Sequence, residues 1–258
     1  MNYRNVLCLP WRGGYSTNFG VEKGPDEILK LIKKNNLRVK KINHNNLSNE
    51  KYHETVFLER KNSKEFNTLV IGGDHSIAIG SIFGSMSLTE KKVGVIWIDA
   101  HPDINTIDAS STKRKHGMPL SFITGIESSW NWTSNLKKLE FEDLHYWGIR
   151  DIDNFEKKLI KDKNLNPDHN LESIIQVAKQ YDYLHISLDI DGLDPLYTPS
   201  TGTPVPNGLS LQELEIFFKE ISTVKNIAID IVEYNPSLGN DVEKMKTKQS
   251  IQTLINFI

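Results

Sequence analysis

Side chains able to hold metal ions gather in three short motifs: Gly72-Gly73-Asp74-His75, Asp99-Ala100-His101-Pro102-Asp103 and Asp189-Ile190-Asp191. In extended backbone, residues i, i+2 and i+4 point to the same side. Asp99, His101 and Asp103 can therefore converge on one point, and Asp189 and Asp191 can do so from another strand. Four carboxylates brought together repel one another and are costly to desolvate, so the pattern calls for cations between them. Two divalent ions would balance that charge. Paired ions roughly 3.5–4 Å apart can share a bridging water and convert it to hydroxide near neutral pH, so hydrolysis is the expected chemistry.

The donor set also narrows the metal. Carboxylate oxygens with two imidazoles suit a fairly hard ion that tolerates nitrogen; Mn²⁺ fits best, with Fe²⁺, Co²⁺ or Zn²⁺ as alternatives. No thiolate takes part, which argues against structural zinc. Singly, each motif has a plainer explanation. An Asp-x-Asp at a strand end often caps a turn, and Gly72-Gly73 lacks the following Lys-Ser/Thr of a phosphate-binding loop. Together, each following an apolar run, they favour a two-metal site.

These residues need a scaffold that brings distant segments to one edge. Strands are expected at 5–10, 67–73, 93–99, 144–149, 183–190 and 226–233, and helices at 24–35, 76–86, 154–162, 170–180, 210–223 and 240–257. The run Val93-Gly94-Val95-Ile96-Trp97-Ile98 is apolar with little alternation, as for a strand covered on both faces. Ser210 and Glu213 form a capping-box start, and Leu211, Leu214, Phe217, Phe218 and Ile221 repeat at helical spacing. Alternating strands and helices predict one three-layer α/β/α domain over residues 1–258, with a mostly parallel central sheet. Such sheets bind ligands outside the carboxyl ends of their strands, where Asp74, Asp99, Asp189 and Glu233 fall. The polar stretch 44–51 reads as a solvated loop.

Composition excludes several classes. Among 258 residues, 31 basic and 33 acidic side chains are interspersed for a net charge of −2, against a general nucleic-acid or anionic-membrane binder. Cys8 is the single cysteine, which rules out a disulfide framework and fits a reducing compartment. No apolar run approaches the roughly 18 residues of a membrane span, and the first residues lead directly into a short apolar strand without a signal peptide's pattern. A soluble, cytoplasmic protein is expected.

At its motifs the chain resembles the ureohydrolase family, its arginase branch in particular. The matching segments are Gly72–Ser76, Asp99–Asn105, His116–Leu120, Gly148–Asp153, Ser187–Pro195 and Asp230–Pro236, in family order across most of the chain. Related deacetylases share the architecture but typically hold one zinc, and the double ligand set points away from them. The resemblance implies two Mn²⁺ ions per subunit, one held by His75, Asp99, Asp103 and Asp189, the other by His101, Asp99, Asp189 and Asp191. It further implies that Asp103 orients the nucleophile, His116 shuttles the proton to the leaving amine, and Glu233 binds the guanidinium. Asp74 is better suited to supporting the turn than to ligation, and Asp194 reads as loop structure. His44, His53, His145, His169 and His185 lack acidic neighbours in sequence and read as surface, packing or strand residues.

The implied reaction is hydrolysis of L-arginine to L-ornithine and urea by a metal-bridging hydroxide. Asn105 and Thr112 fall where arginases bind the substrate carboxylate, and Asp153 and Glu156 where they bind the α-amino group; Thr203 joins this substrate-contacting set. Arg114 departs from the family, which usually has asparagine there. It is either a solvated charge within Lys113-Arg114-Lys115 or a clamp on an anionic tail, and in both cases it disfavours agmatine. Another guanidino-acid hydrolase, an agmatinase or a formiminoglutamase is the alternative, and a metal-stabilised protein without catalysis is a second. The family's habit implies a homo-oligomer, trimer or hexamer.

Overall fold

The computed structural model describes residues 3–15, 17–43, 46–167 and 169–258. Its centre is a sheet of β1 (Asn5–Leu9), β2 (Arg38–Lys41), β3 (Thr68–Gly72), β4 (Val93–Ile98), β5 (Leu144–Trp147), β6 (Tyr183–Asp189) and β7 (Asn226–Val232). The spatial order is β2-β1-β3-β7-β6-β4-β5, and every pairing is parallel. The sheet is thus fully rather than mostly parallel. The six expected strands are all present, each one or two residues shorter than expected. β2 was not anticipated, because its sequence Arg-Val-Lys-Lys is exposed throughout. Basic residues on an edge strand discourage pairing with other chains, and they hide the strand from any search for apolar runs.

Helices cover both faces. α1 (Gly24–Leu29), α6 (Leu171–Ala178), α7 (Leu211–Glu220) and α8 (Asp241–Phe257) pack Ile28, Ile174, Leu214, Phe217, Ile251 and Leu254 against one face. α3 (Ala78–Met86), α4 (Pro119–Thr124) and α5 (Asn154–Asp162) contribute Ile82, Phe83, Leu120, Phe122 and Ile160 to the other. α2 (Asn49–Ser63) lies over α3, and its Tyr52 and Val56 join a third cluster with Leu7, Leu9 and Trp11. No helix of the described residues is long and apolar enough to cross a membrane.

Differences from expectation have local causes. Ser48 caps α2 by accepting from the Lys51 amide, so Asn49 to Lys51 are helix rather than loop; His44 lies outside the described residues. α2 buries Tyr52, His53, Val56, Phe57 and Arg60, a stripe in which two members are polar by type. On α3, a Cβ at Gly84 would sit 2.2 Å from the Arg60 Cβ, so glycine lets the two helices meet. α1 stops at Leu29 instead of continuing to 35, and the chain turns through left-handed Asn36 (φ 63°) to enter β2. α7 starts where the capping box placed it, with Ser210 accepting from the Glu213 amide.

Candidate active site

The sheet order explains why the motifs meet. β3, β4, β6 and β7 carry them in sequence, and the order β3-β7-β6-β4 makes these four strands neighbours. Their carboxyl ends deliver Asp74-His75, Glu233, Asp189 and Asp99 to one rim. Gly73 ties the rim together: its N–H donates to the Leu9 carbonyl (3.0 Å) and its carbonyl accepts from the Glu233 amide (2.8 Å). A Cβ there would lie 1.9 Å from the Trp11 oxygen, so only glycine fits.

At the centre, His75 Nδ1 lies 3.0 Å from Asp99 Oδ2, 3.3 Å from Asp103 Oδ2 and 3.3 Å from Asp189 Oδ2. Despite these distances it makes no properly directed hydrogen bond. Donor atoms that crowd a common point without bonding one another are arranged for a cation between them. The opposite ring nitrogen, Nε2, is 2.9 Å from Ser187 Oγ, and the ring stacks on Trp97 at 4.0 Å, so its orientation is fixed from two sides. A second group adjoins the first. His101 Nδ1 is 3.3 Å from Asp191 Oδ2 and 3.4 Å from Asp99 Oδ1. Two sets of ligand atoms close enough to hold an ion are formed by His75, Asp99 and Asp103, and by Asp99, His101 and Asp191. Asp99 belongs to both, and Asp189 approaches the first through His75.

The carboxylates are held in place from behind. Asp99 accepts from Trp97 Nε1 (3.0 Å) and the His101 amide (2.7 Å); Asp189 accepts from the Asp191 amide (2.8 Å). Asp191 accepts from the Ala100 amide (3.2 Å) and from Thr203 Oγ1 (2.9 Å). Burial drives Asp103 up to about 7, with repulsion from Asp99 adding to it, and raises Asp189 and Asp191 for the same reasons. For His75 and His101 burial works the other way but is outweighed by the carboxylates, which raise both imidazoles; His101 reaches about 12. The cluster thus draws positive charge from its own histidines. Divalent ions would supply that charge and leave the imidazoles neutral as ligands.

Around this floor lies a cavity of about 270 Å³, whose walls include Asn105, Thr112, Arg114, His116, Asp153, Glu156 and Thr203. The residues assigned to the substrate's tail thus line one space together with His116, while Glu233 is not among the lining residues. His116 Nδ1 is 3.7 Å from Glu233 Oε1. Burial, then the neighbouring His101 and His75, lower the His116 imidazole below its ordinary range. Glu233 accepts from the His75 amide (2.8 Å) and Asn18 Nδ2 (3.4 Å), and burial with repulsion from Asp189 and Asp74 raises its carboxyl well above normal. Asp103 (φ 48°) and Glu233 (φ 66°) both adopt the left-handed backbone that non-glycine residues avoid. Such strain is held by the surrounding structure and concentrates at functional positions.

Not every wall residue has a free side chain. Asp153 and Glu156 form the capping box of α5, with Glu156 also accepting from the Ile104 amide (3.3 Å) and Asp153 bonded to Asn105 Nδ2. Burial, then repulsion from Asp103 and Asp153, raises Glu156 to about 8. Asp74 sits outside the ligand cluster and caps the turn at His75–Ile77 while accepting from the Gly14 and Tyr15 amides (2.8 and 3.3 Å). Asp194 accepts from the Leu196 and Gly208 amides, a loop role. Ser110 and Ser111 line the cavity beside Thr112 and were not singled out, although the run of hydroxyls was visible. Arg150 is a further supporting residue outside the sequence motifs' predicted roles. Its guanidinium donates to the carbonyls of Asp191 (2.7 Å), Val205 (2.7 Å) and Gly148 (2.8 Å), clamping the loop that carries Asp191. Backbone partners of this kind leave no signature in sequence.

With this geometry established, known proteins show the kinship. The sequence profile of the Arginase family matches residues 5–256. The chain belongs to the arginase family. An arginase of Neurospora crassa is 37% identical in an alignment of 210 residues that covers 72% of this chain and 59% of the relative; an arginase of Entamoeba histolytica is 33% identical with 96% of each chain covered. The chain thus matches about three-fifths of the fungal relative's length and nearly all of the amoebic one. Among solved structures, Entamoeba histolytica arginase in complex with L-ornithine superimposes with a TM-score of 0.86 at 29% identity, over 99% of both chains. A Bacillus subtilis arginase gives 0.83 at 30%, over 99% of this chain and 98% of that one. Formimidoylglutamase of Bacillus subtilis, at 22% identity and a TM-score of 0.80, shares the fold of this arginase-family chain.

Proposed function

We propose that this chain is an arginase that hydrolyses L-arginine to L-ornithine and urea with two Mn²⁺ ions per subunit. The observation that carries the reading is the paired ligand cluster at the floor of the cavity, with Asp99 common to both sets. His75, Asp99, Asp103 and Asp189 would hold one ion, and His101, Asp99, Asp189 and Asp191 the other. When bound, the ions supply a water activated for attack on a guanidinium carbon at neutral pH. Asp103 accepts a hydrogen bond from that nucleophile and aims it. Glu233, at the end of β7, receives the guanidinium. His116, 3.7 Å from Glu233, moves a proton between solvent and the departing amine nitrogen.

The substrate's tail points to the cavity mouth. Asn105, Thr112 and Arg114 offer donors to a carboxylate, Asp153 and Glu156 offer oxygens to an α-ammonium, and Thr203 steadies the wall through Asp191. Arg114 stays by the cavity through a hydrogen bond to Thr17 (3.3 Å), which supports an anion-bearing substrate over agmatine. The amoebic relative, crystallised with L-ornithine, supports arginine among such substrates. Guanidino acids and formiminoglutamate also carry an anionic tail and form the second reading. One domain over residues 1–258 is supported by a sheet that takes strands from both halves of the chain. A cytoplasmic location is supported by the single, buried Cys8, and a homo-oligomer, trimer or hexamer, by the family's habit.

The test is a substrate panel and metal analysis on one Mn²⁺-loaded sample. Urea and ornithine should appear from arginine, with no urea from agmatine. His116→Asn should lower turnover by about 10²-fold, within the usual range for general acid–base groups, while metal content stays unchanged. Turnover of formiminoglutamate or another guanidino acid, with none of arginine, would reverse the substrate assignment.

A further inference from the structure

A loop outside the metal motifs reaches into the site between β1 and α1. Its path is fixed at several points. Gly14 and Tyr15 donate their amides to Asp74 Oδ2, the Gly13 carbonyl accepts from Asn49 Nδ2 (3.0 Å), and the Gly14 carbonyl accepts from the His116 amide (3.4 Å). Asn18, further along, meets Glu233 and accepts from Asn235 Nδ2 (2.7 Å). The loop therefore touches the turn before His75, the guanidinium-binding carboxylate and the shuttle histidine.

Tyr15 presents its ring to His116, with centroids 4.3 Å apart and planes inclined by 14°. The Arg114 guanidinium carbon lies 4.3 Å from the centre of the same tyrosine ring, and Arg114 is also held by Thr17 on the same loop. Tyr15 is half-buried, and its ring lies against His116 and Arg114, which line the cavity, and outside the core clusters. Among the described residues no hydrogen bond holds either ring nitrogen of His116.

We propose that Tyr15 is the positioning residue for His116, fixing the plane of the imidazole by stacking while leaving both nitrogens free. A proton-transferring imidazole must accept at a nitrogen and later release from one. A hydrogen-bonded anchor would occupy a nitrogen and favour one tautomer, whereas an aromatic face restrains the ring and engages neither. Arg114 also approaches this ring by a cation–π contact, but Thr17 holds it as well, so loss of the ring bears chiefly on His116. The hydroxyl of Tyr15 has no part in this; the ring does the positioning. The inference rests on the proposed role of His116.

The test uses Tyr15→Ala, Tyr15→Phe and His116→Asn, alone and combined, in the full-length Mn²⁺-loaded enzyme. Tyr15→Ala should lower kcat for arginine about tenfold, the scale of one aromatic pair, with KM within about twofold and metal content unchanged. Tyr15→Phe should keep kcat within about twofold of wild type. In the His116→Asn background, Tyr15→Ala should cause no further loss, since the residue it positions is gone. Independently of turnover, the His116 ring-proton resonance, recorded with diamagnetic Zn²⁺ in the site, should lie upfield in wild type and Tyr15→Phe and move downfield in Tyr15→Ala. Full kcat in Tyr15→Ala, an equal loss in the His116→Asn background, or an unmoved resonance would each overturn the proposal. If wild type hydrolyses no guanidino compound, the functional reading fails, and the resonance decides the stacking by itself.

Discussion

Several candidate ligands are held by a contact outside the cluster, as His75 is by Ser187 and Asp99 by Trp97. Thr203 illustrates how far that support extends, because its hydroxyl donates to Asp191 Oδ2 at 2.9 Å. Removing it leaves the Asp191 carboxylate held by the Ala100 amide alone among the described residues. Thr203→Val should weaken Mn²⁺ binding by about 10- to 100-fold, as is usual for partners of metal ligands. A Mn²⁺ titration followed by electron paramagnetic resonance would measure this, and unchanged affinity would show that the contact is dispensable. Asp74 is the contrasting residue. It stands beside His75 in sequence and carries the same carboxylate chemistry, but the Gly14, Tyr15 and Ser76 amides use both its oxygens.

Among the elements, α2 shows where pattern reading failed and why. A helix whose buried stripe contains His53 and Arg60 looks polar in sequence. Within the fold His53 is satisfied and Arg60 nearly so: Arg60 donates to Thr68 Oγ1 and Ser85 Oγ (both 2.7 Å), with only its Nε left without a partner among the described residues, and His53 Nδ1 lies 2.6 Å from the Asn49 carbonyl, with Nε2 3.0 Å from Ser76 Oγ. Burial lowers the His53 imidazole to about 4. The sign follows from linkage. The unfolded chain takes up the proton near its ordinary value, so this stability is present above about 6.5 and is lost as pH falls toward about 4. The total is on the order of 3 kcal/mol. Denaturant unfolding of wild type and His53→Gln at pH 7 and pH 4.5 should show a smaller acid loss in the variant. Equal losses would mean that His53 does not carry the effect. His185 was read as a strand residue and does lie in β6, but it is tied there to Asp230 Oδ2 (3.0 Å) and Ser85 Oγ (2.9 Å). Its acidic partner is 45 residues away, which is why local sequence showed none.

For the molecule as a whole, the crowded carboxylates link folding to the ions. Only the folded chain assembles the cluster, so metal binding adds directly to stability. At a free metal concentration about a hundred times Kd the gain is about 2.7 kcal/mol for a single site. In a chain of this size, that corresponds to a Tm change of roughly 5–10 °C. Chelation should lower Tm by that amount, and added Mn²⁺ should restore it, as read by scanning calorimetry. An unchanged Tm in both directions would remove the case for metal binding.

Much was already written in the sequence. Asp-x-His-x-Asp and Asp-x-Asp after apolar runs fix the ligand types, strand pairing alone supplies their common direction, and the alternation of runs implies a sheet with helices on both faces. The capping box at Ser210 marked the start of α7, and in the structure Asp153 and Asn240 cap α5 and α8 in the same way, through amides three residues away. What needed the tertiary structure was everything set by neighbours distant in the chain. The order β3-β7-β6-β4 places Glu233 near His75 across 158 residues, no local pattern encodes which strands become neighbours, and Tyr15 meets His116 in a loop that Asp74 holds through the Gly14 and Tyr15 amides. Local chemistry is carried by residue type and spacing; convergence is a property of the chain's path, and only the folded path decides it.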